Sequence, residues 1–568
     1  MPGELPLTFF DKHQHLLDRA GEAFQSRTNW SAYDDSDPTD AADLESAAQW
    51  LRDQRGRPFD LEHHPGTTHH QDDEVSPYTG ERLDISYPRA DLDELLAAAE
   101  RAWRPWRDAD TRERVGVCLE MCERLFQDGA RLAVAGMHTT GQSRGMSLTG
   151  SGTNAIDRGL EAVVVAYEAL GRTPDSVRWS RKFGRVTTTL DKRYRVMPLG
   201  VATVIACASF PAWNVYPALF ANLVTGNAVV LKPHPTSVLQ MALAVRICRA
   251  VLTATGFDPD LVTLAVDSVA EPVAQRLVTH DKIRIVDFTG SAAFGSWIEA
   301  NSGRSQVYTE TSGTNSVLLE SVTDPEPVLR ALAGSLCLFS AQMCTSPQNI
   351  YLPRAGLRTG TGFLGVDEVA SALADAVRSI STVPKRAASI MGAVQSDRTL
   401  TELAGLTETV RARGRVLVEP VGYTHPEYPE ARTSGPLLAQ IDITDHDLYG
   451  REQFGPVAFL IICDDADQAL ARAVEDARTS GAITAFAYSL DDSYLERVED
   501  AYAQAGAALT INLTGPMPLN FSAAFSDYHV TGLNPAGTAT LTDESFIAGR
   551  FRIVQTRRPA QDGAETAR

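Results

Sequence analysis

Apolar residues recur at helical spacing through 92–103, 112–126 and 155–170, which predicts three amphipathic helices. The pattern changes after that. Residues 185–190 and 193–196 are rich in Thr, Val and Tyr, predicting a β-hairpin that turns at Asp191-Lys192. Short apolar runs follow at 201–207, 228–232, 262–266 and 283–288. Helical stretches near 216–225, 237–254, 269–278 and 292–300 separate or follow them. Such alternation predicts an α/β fold with a doubly wound parallel sheet. A second alternation begins at 315–319 and runs past Thr484. A return strand at 550–556 then leads into a polar tail expected to be disordered.

Residues 1–75 lack a usable pattern and read as a peripheral extension. Residues 31–40 are polar and acidic. His63, His64, His69 and His70 flank Pro65-Gly66, and a solvated loop is expected there rather than a metal site.

Composition narrows the function classes. At 568 residues the chain exceeds a single core, so about two to four domains are expected. The net charge of −20 argues against a general nucleic-acid binder. No apolar run is long enough to span a membrane, and the first residues carry no signal-like core, so the cytoplasm is the expected location. The seven cysteines are odd in number and scattered without a Cys-x-x-Cys pair. Neither a disulfide framework nor a metal site is expected, and Cys118 with Cys122 reads as helix packing.

Candidate chemistry centres on Cys344, in Ser340-Ala341-Gln342-Met343-Cys344-Thr345-Ser346, just before an expected strand at 348–353. Glu310 lies 34 residues upstream, in Tyr308-Thr309-Glu310-Thr311-Ser312-Gly313. A thiol near a carboxylate and a cofactor can oxidise an aldehyde. Gly360-Thr361-Gly362-Phe363-Leu364-Gly365 matches G-x-G-x-x-G but follows no strand, and reads as a decoy. Better cofactor signals are Gly290 and Ser291, which end a strand and open a helix, and Lys232, which ends another strand. Asn214 follows a strand end, where its amide can donate to an oxyanion. Glu452 and Phe454 lie in a polar turn before an apolar strand.

Together these motifs resemble the aldehyde dehydrogenase superfamily over residues 76–557. The chain is most similar to the phenylacetic-acid-degradation (PaaN) branch and related ring-cleavage semialdehyde dehydrogenases. The resemblance implies an aldehyde dehydrogenase-like fold: a doubly wound parallel-sheet cofactor domain (76–309), an α/β catalytic domain (310–523), and a C-terminal return strand and tail (524–568). It also implies a β-hairpin oligomerisation element near 180–197. Cys344 is then the nucleophile, Glu310 the base that activates water, and Asn214 an oxyanion donor. Lys232 and Glu452 hold the two riboses, Gly290 and Ser291 lie by the pyrophosphate or nicotinamide, and Phe454 accompanies Glu452.

Pro235 stands where many members carry the glutamate that binds a ribose 2′-hydroxyl. With His234 or Lys232 nearby, this favours NADP over NAD. Ala524-Phe525-Ser526-Asp527-Tyr528 replaces the usual C-terminal Pro-Phe-Gly-Gly, so the substrate loop is expected to differ. Trp213, Phe339 and Phe525 are candidates to line a tunnel. The implied substrate is a small-molecule aldehyde, such as a CoA-linked semialdehyde from aromatic ring opening. A homodimer or tetramer is expected, and a hydratase partner, if needed, would be a separate protein. The competing readings are a coenzyme-A-acylating dehydrogenase and a non-catalytic scaffold on the same fold.

Overall fold

Val201–Ile205, Ala228–Lys232, Val262–Leu264, Ile283–Gly290 and Gln306–Thr311 form a five-stranded parallel sheet. Val201–Ile205 lies in its middle. The next two strands in sequence are added on one side and the last two on the other. The strand order therefore reverses between Val201–Ile205 and Ile283–Gly290, and ligands of such sheets bind beyond the carboxyl ends at that crevice. Every residue of Val201–Ile205 and Ala228–Lys232 is buried, as expected of strands covered by helices on both faces. The computed structural model describes residues 8–33, 41–311, 313–529 and 544–560. The acidic residues 34–40 and the tail 561–568 lie outside them.

The covering helices include Pro211–Val224, Leu239–Ala254, Ala274–Thr279 and Ala292–Asn301. The first begins ahead of the expected 216–225 because Pro211 fits the first helical turn, where its missing N–H is no loss.

A second, seven-stranded sheet runs in the order Arg415–Val418, Leu437–Asp442, Val457–Cys463, Asn349–Pro353, Ser316–Leu319, Thr484–Tyr488, Ala508–Ile511. All its pairings are parallel except that of Arg415–Val418. The sheet has its own apolar cores, separate from the cluster under the first sheet. The G-x-G-x-x-G stretch forms a small antiparallel hairpin, Leu357–Thr359 with Gly362–Leu364.

A third sheet is antiparallel: Phe551–Pro559, Val186–Pro198 and Ser176–Phe183. The expected turn at Asp191-Lys192 is corrected. Those residues lie inside Val186–Pro198, opposite Arg178 and Val177. The chain reverses at Gly184-Arg185, where Gly184 adopts φ +60°, a conformation open to glycine without steric penalty.

The N-terminal segment is also corrected, because it is not peripheral. Phe9–Ser26 is a helix, capped by Thr8 and Asp11, that packs on the helix Thr111–Gln127. Its Phe10, Leu17 and Ala20 join the largest apolar cluster. The histidine segment is not simply a solvated loop either. Thr67–Gln71 pairs with Ile85–Ala90, and His64 Nε2 accepts the Leu264 N–H at 3.1 Å. Burial pushes His64 down to about 3.

Candidate active site

Parallel register sets the site. Ile205 lies level with Lys232 and Phe288, and Phe288 with Thr309. Glu310 therefore emerges one residue beyond, opposite Thr289, at the carboxyl edge of the sheet. Asn214 reaches the same point from the first turn of Pro211–Val224. Its Nδ2 donates to Glu310 Oε2 at 2.5 Å, and Thr289 Oγ1 donates to the same oxygen at 3.5 Å. Asn214 Oδ1 accepts from Cys207 Sγ at 3.5 Å.

Cys344 arrives from the other sheet. It follows Pro325–Cys337 and the turn Leu338–Ala341, in which Phe339, Ser340 and Ala341 have φ values of 48°, 50° and 50°. Three consecutive non-glycine residues in the left-handed region are strained, on the order of 1–2 kcal/mol each. Hydrogen bonds hold them there. Ser340 Oγ donates to Met391 O, Gln342 Nε2 donates to Ala393 O, and Gln342 Oε1 accepts from the Gln395 N–H. Asn315 fixes the next segment: its Nδ2 donates to the carbonyls of Cys344 at 2.8 Å and Ser346 at 2.9 Å. Its Oδ1 accepts the N–H groups of Ile483 and Thr484, both at 3.0 Å.

The structure brings Cys344, Glu310 and Asn214 together, and adds a residue that the sequence did not single out. His529 Nε2 lies 2.9 Å from Glu310 Oε1 and 3.7 Å from Cys344 Sγ. His529 and Glu310 are 3% and 1% exposed, so their contact is shielded from water. Cys344 is partly accessible as a residue, yet burial around Sγ, followed by the Glu310 charge, pushes its thiol well up. A resting thiol here is protonated and needs a local proton acceptor. The only signal for His529 was the altered C-terminal element just before it.

Cys344 and His529 line a cavity of about 360 Å³. Its wall includes Met146, Phe210, Trp213, Leu338, Ile390 and Phe521, and no Lys, Arg, Asp or Glu among the described residues. Trp213 takes the expected lining position. Phe339 and Phe525 do not: Phe339 is buried against Phe210, and Phe525 against Trp30.

The expected cofactor residues are split. Lys232 forms a buried ion pair with Asp267 at 2.8 Å, and burial lowers its pKa despite that partner. Ser291 caps Ala292–Asn301, accepting the Phe294 N–H, immediately after Gly290 ends its strand. Glu452 and Phe454 sit in the loop before Val457–Cys463, with Phe454 exposed. Gln348 ties that loop to the nucleophile segment by bonding the Arg451 carbonyl and the Gln453 N–H. His234 is pushed down to about 4, first by burial and then by the Lys232 charge, so it is neutral near pH 7. The cations invoked for an NADP preference are thus one already paired lysine and one neutral imidazole. Next to them, a second cleft is lined by His69, Arg89, Thr236, Ser268 and the acidic Asp73 and Glu271.

Comparison with known proteins agrees with this architecture. Residues 66–517 match the aldehyde dehydrogenase family. The structure is similar to that of an NAD-dependent aldehyde dehydrogenase from Burkholderia multivorans, with a TM-score of 0.93, 40% identity, and coverage of 98% of this chain and 100% of that one. A putative aldehyde dehydrogenase-like protein of Saccharomyces cerevisiae is 24% identical over 417 residues, which is 69% of this chain but only 61% of that protein. A malonate-semialdehyde dehydrogenase of Geobacillus kaustophilus is 24% identical over 497 residues, 84% of this chain and 93% of that one.

Proposed function

This chain belongs to the aldehyde dehydrogenase family, and from that premise we propose that it oxidises an uncharged, largely apolar aldehyde to the free acid, with NAD as hydride acceptor. The observation that carries the reading is the meeting of Cys344, Glu310 and Asn214 where the apolar cavity reaches the crevice of the parallel sheet.

Cys344 attacks the aldehyde carbon as a thiolate, giving a thiohemiacetal oxyanion. Asn214 and the Cys344 backbone N–H hold that oxygen. An amide nitrogen carries two N–H groups, so Asn214 can keep its bond to Glu310 while the second faces the oxyanion. When bound, the nicotinamide supplies the acceptor for the hydride. Lys232, Gly290, Ser291, Glu452 and Phe454 are the groups assigned to hold NAD. Oxidation leaves a thioester on Cys344. Glu310 then takes a proton from water, which attacks the thioester and releases the acid.

NAD is favoured over NADP on charge. A 2′-phosphate would meet Asp267 next to Lys232, and it would gain no cation from His234. Arg89 in the adjoining cleft is already paired with Glu271. The substrate is argued the same way. Among the described residues the wall holds no Lys or Arg, so a free carboxylate there would lose hydration without gaining a lysine or arginine partner. A CoA-linked semialdehyde from ring opening remains compatible, because its acid end is masked as a thioester and only a neutral chain need enter.

The test follows nicotinamide reduction with neutral, carboxylate-bearing and CoA-linked aldehydes, with Cys344→Ser as control. The expected outcome is turnover that needs Cys344 but no added CoA. Neutral aldehydes should be favoured at least about tenfold, or ~1.4 kcal/mol, and NAD should be favoured over NADP. Acyl-CoA formed only when CoA is added, with no free acid, would overturn the hydrolytic reading.

A further inference from the structure

Asn214 is held at both ends of its side-chain amide. Nδ2 donates to Glu310 Oε2 at 2.5 Å, and Oδ1 accepts from Cys207 Sγ at 3.5 Å. The second bond is made by a local path. Cys207 lies two residues beyond Val201–Ile205, and the Ala206 N–H still pairs with the Lys232 carbonyl, so the thiol stands at the carboxyl end of the sheet. The chain then turns into Pro211–Val224, whose first turn brings the buried Asn214 back to that thiol.

We propose that Cys207 is a positioning residue, whose thiol holds the Asn214 amide with its nitrogen toward the substrate oxygen. The proposal rests on the reading of Asn214 as the oxyanion donor and of Cys344 as the nucleophile. No bond to Cys207 forms or breaks; it acts through Asn214.

An amide side chain has two orientations related by a half-turn, and only one presents N–H groups to an oxyanion. In the other, a carbonyl oxygen faces the developing negative charge and repels it. Glu310 selects the right orientation while it is ionised, because a carboxylate only accepts. It loses that selectivity once it takes the proton from water, since a protonated carboxyl also donates. Thioester hydrolysis builds its oxyanion in that same step.

Cys207 keeps one role throughout. Burial pushes its thiol up to about 12, helped by the Glu310 charge and opposed only in part by the Phe210 and Ser209 N–H groups that face the sulfur. It is therefore an S–H donor at neutral pH, and Asn214 Oδ1 is the acceptor it meets. A flipped amide would instead aim its N–H at a sulfur that those two backbone N–H groups already face. The nearby Thr289 hydroxyl does not replace this bond, because it is engaged with Glu310.

The experiment compares two reactions of Cys344 in the full-length protein without cofactor. p-Nitrophenyl acetate acetylates the thiol and the thioester is then hydrolysed, each step passing through a tetrahedral oxyanion. Iodoacetamide alkylates the same thiol by displacement at a saturated carbon and needs no oxyanion donor. Hydrolysis is read from steady p-nitrophenolate release per acetylated Cys344, and alkylation from the mass of the Cys344 peptide. Cys207→Ala and Cys207→Ser remove the same sulfur, but only serine keeps a donor toward Oδ1.

Cys207→Ala is expected to slow hydrolysis at least about tenfold, part of the roughly 100-fold cost of deleting an oxyanion donor, with alkylation unchanged. Cys207→Ser should restore hydrolysis to within about threefold of the wild type. Beside Asn214→Ala, Cys207→Ala should add nothing, because it acts through that residue. Equal losses in the alanine and serine variants would make the sulfur a packing group and overturn the proposal. Unchanged hydrolysis in both, or a Cys207→Ala loss that persists beside Asn214→Ala, overturns it as well. Full hydrolysis by Asn214→Ala alone would overturn the oxyanion reading beneath it, and the proposal with it. The aldehyde panel has no part in this measurement. A silent panel with the expected pattern here would sink the substrate reading and leave this inference standing.

Discussion

Asn315 engages both ends of its side-chain amide with different segments, the nucleophile loop and the start of Thr484–Tyr488. Truncation to alanine would leave two carbonyls and two N–H groups without that partner. Each buried polar group so stranded costs on the order of 1–3 kcal/mol. Asn315→Ala is therefore expected to lower stability by at least about 2 kcal/mol, and turnover should fall more than nucleotide binding does. Unfolding midpoints and single-turnover rates check this, and an unchanged rate would separate Asn315 from the geometry of Cys344. At this scale the sequence was partly legible. Cys344, Glu310 and Asn214 stood in recognisable local motifs, and the structure brings them into contact. Asn315 and His529 did not, because what distinguishes them is which distant groups they meet.

Elements show a second kind of coupling. The helix Leu239–Ala254 has no side-chain cap of its own. Glu74, 164 residues earlier, accepts the N–H groups of Val238 and Leu239 and the hydroxyl of Tyr87. Burial pushes Glu74 from its ordinary 4.5 up to about 7, against those hydrogen bonds. Between these values the folded chain keeps a proton that the unfolded chain releases. Its contribution is thus fully present below about 4.5 and is lost as pH rises through about 7, a change of roughly 3 kcal/mol. Glu74→Gln has nothing to ionise there. The wild type is expected to lose stability relative to Glu74→Gln between pH 5 and 8, about the window given by the shift. Parallel denaturation midpoints across that range would refute it. Four of the five strands of the first parallel sheet were legible as short apolar runs, because both faces are covered; Gln306–Thr311, which carries Glu310, was not, because its residues are mostly polar. The hairpin turn was misread because Asp191-Lys192 carries polar turn-like residues, whereas the reversal needed Gly184 and a cross-strand register. The N-terminal helix was missed because a histidine, His13, stands in its buried stripe between Phe10 and Leu17.

At the scale of the whole molecule, the return strand Phe551–Pro559 is anchored to the first sheet by a buried ion pair. Arg550 Nη1 and Nη2 donate to Asp287 Oδ2 and Oδ1 at 2.8 and 2.6 Å, and Asn222 donates to the same carboxylate. The guanidinium also stacks on Tyr308 and Phe546. Arg550→Met would strand the Asp287 charge and is expected to cost about 3–5 kcal/mol, much of it recovered in Arg550→Met/Asp287→Leu. Urea midpoints of the single and double variants test this. A double variant no better than the single one would contradict it. The sequence by itself determined the alternation of strands and helices, the family, and which residues, Cys344, Glu310 and Asn214, are proposed to carry the chemistry, because these depend on local pattern and on short motifs. Only the tertiary structure decided that the N-terminal segment braces the loop carrying His529, that Lys232 is paired with Asp267, and that the cavity wall holds no Lys, Arg, Asp or Glu among the described residues. These are properties of distance and dielectric between residues remote in sequence, and no local pattern encodes them.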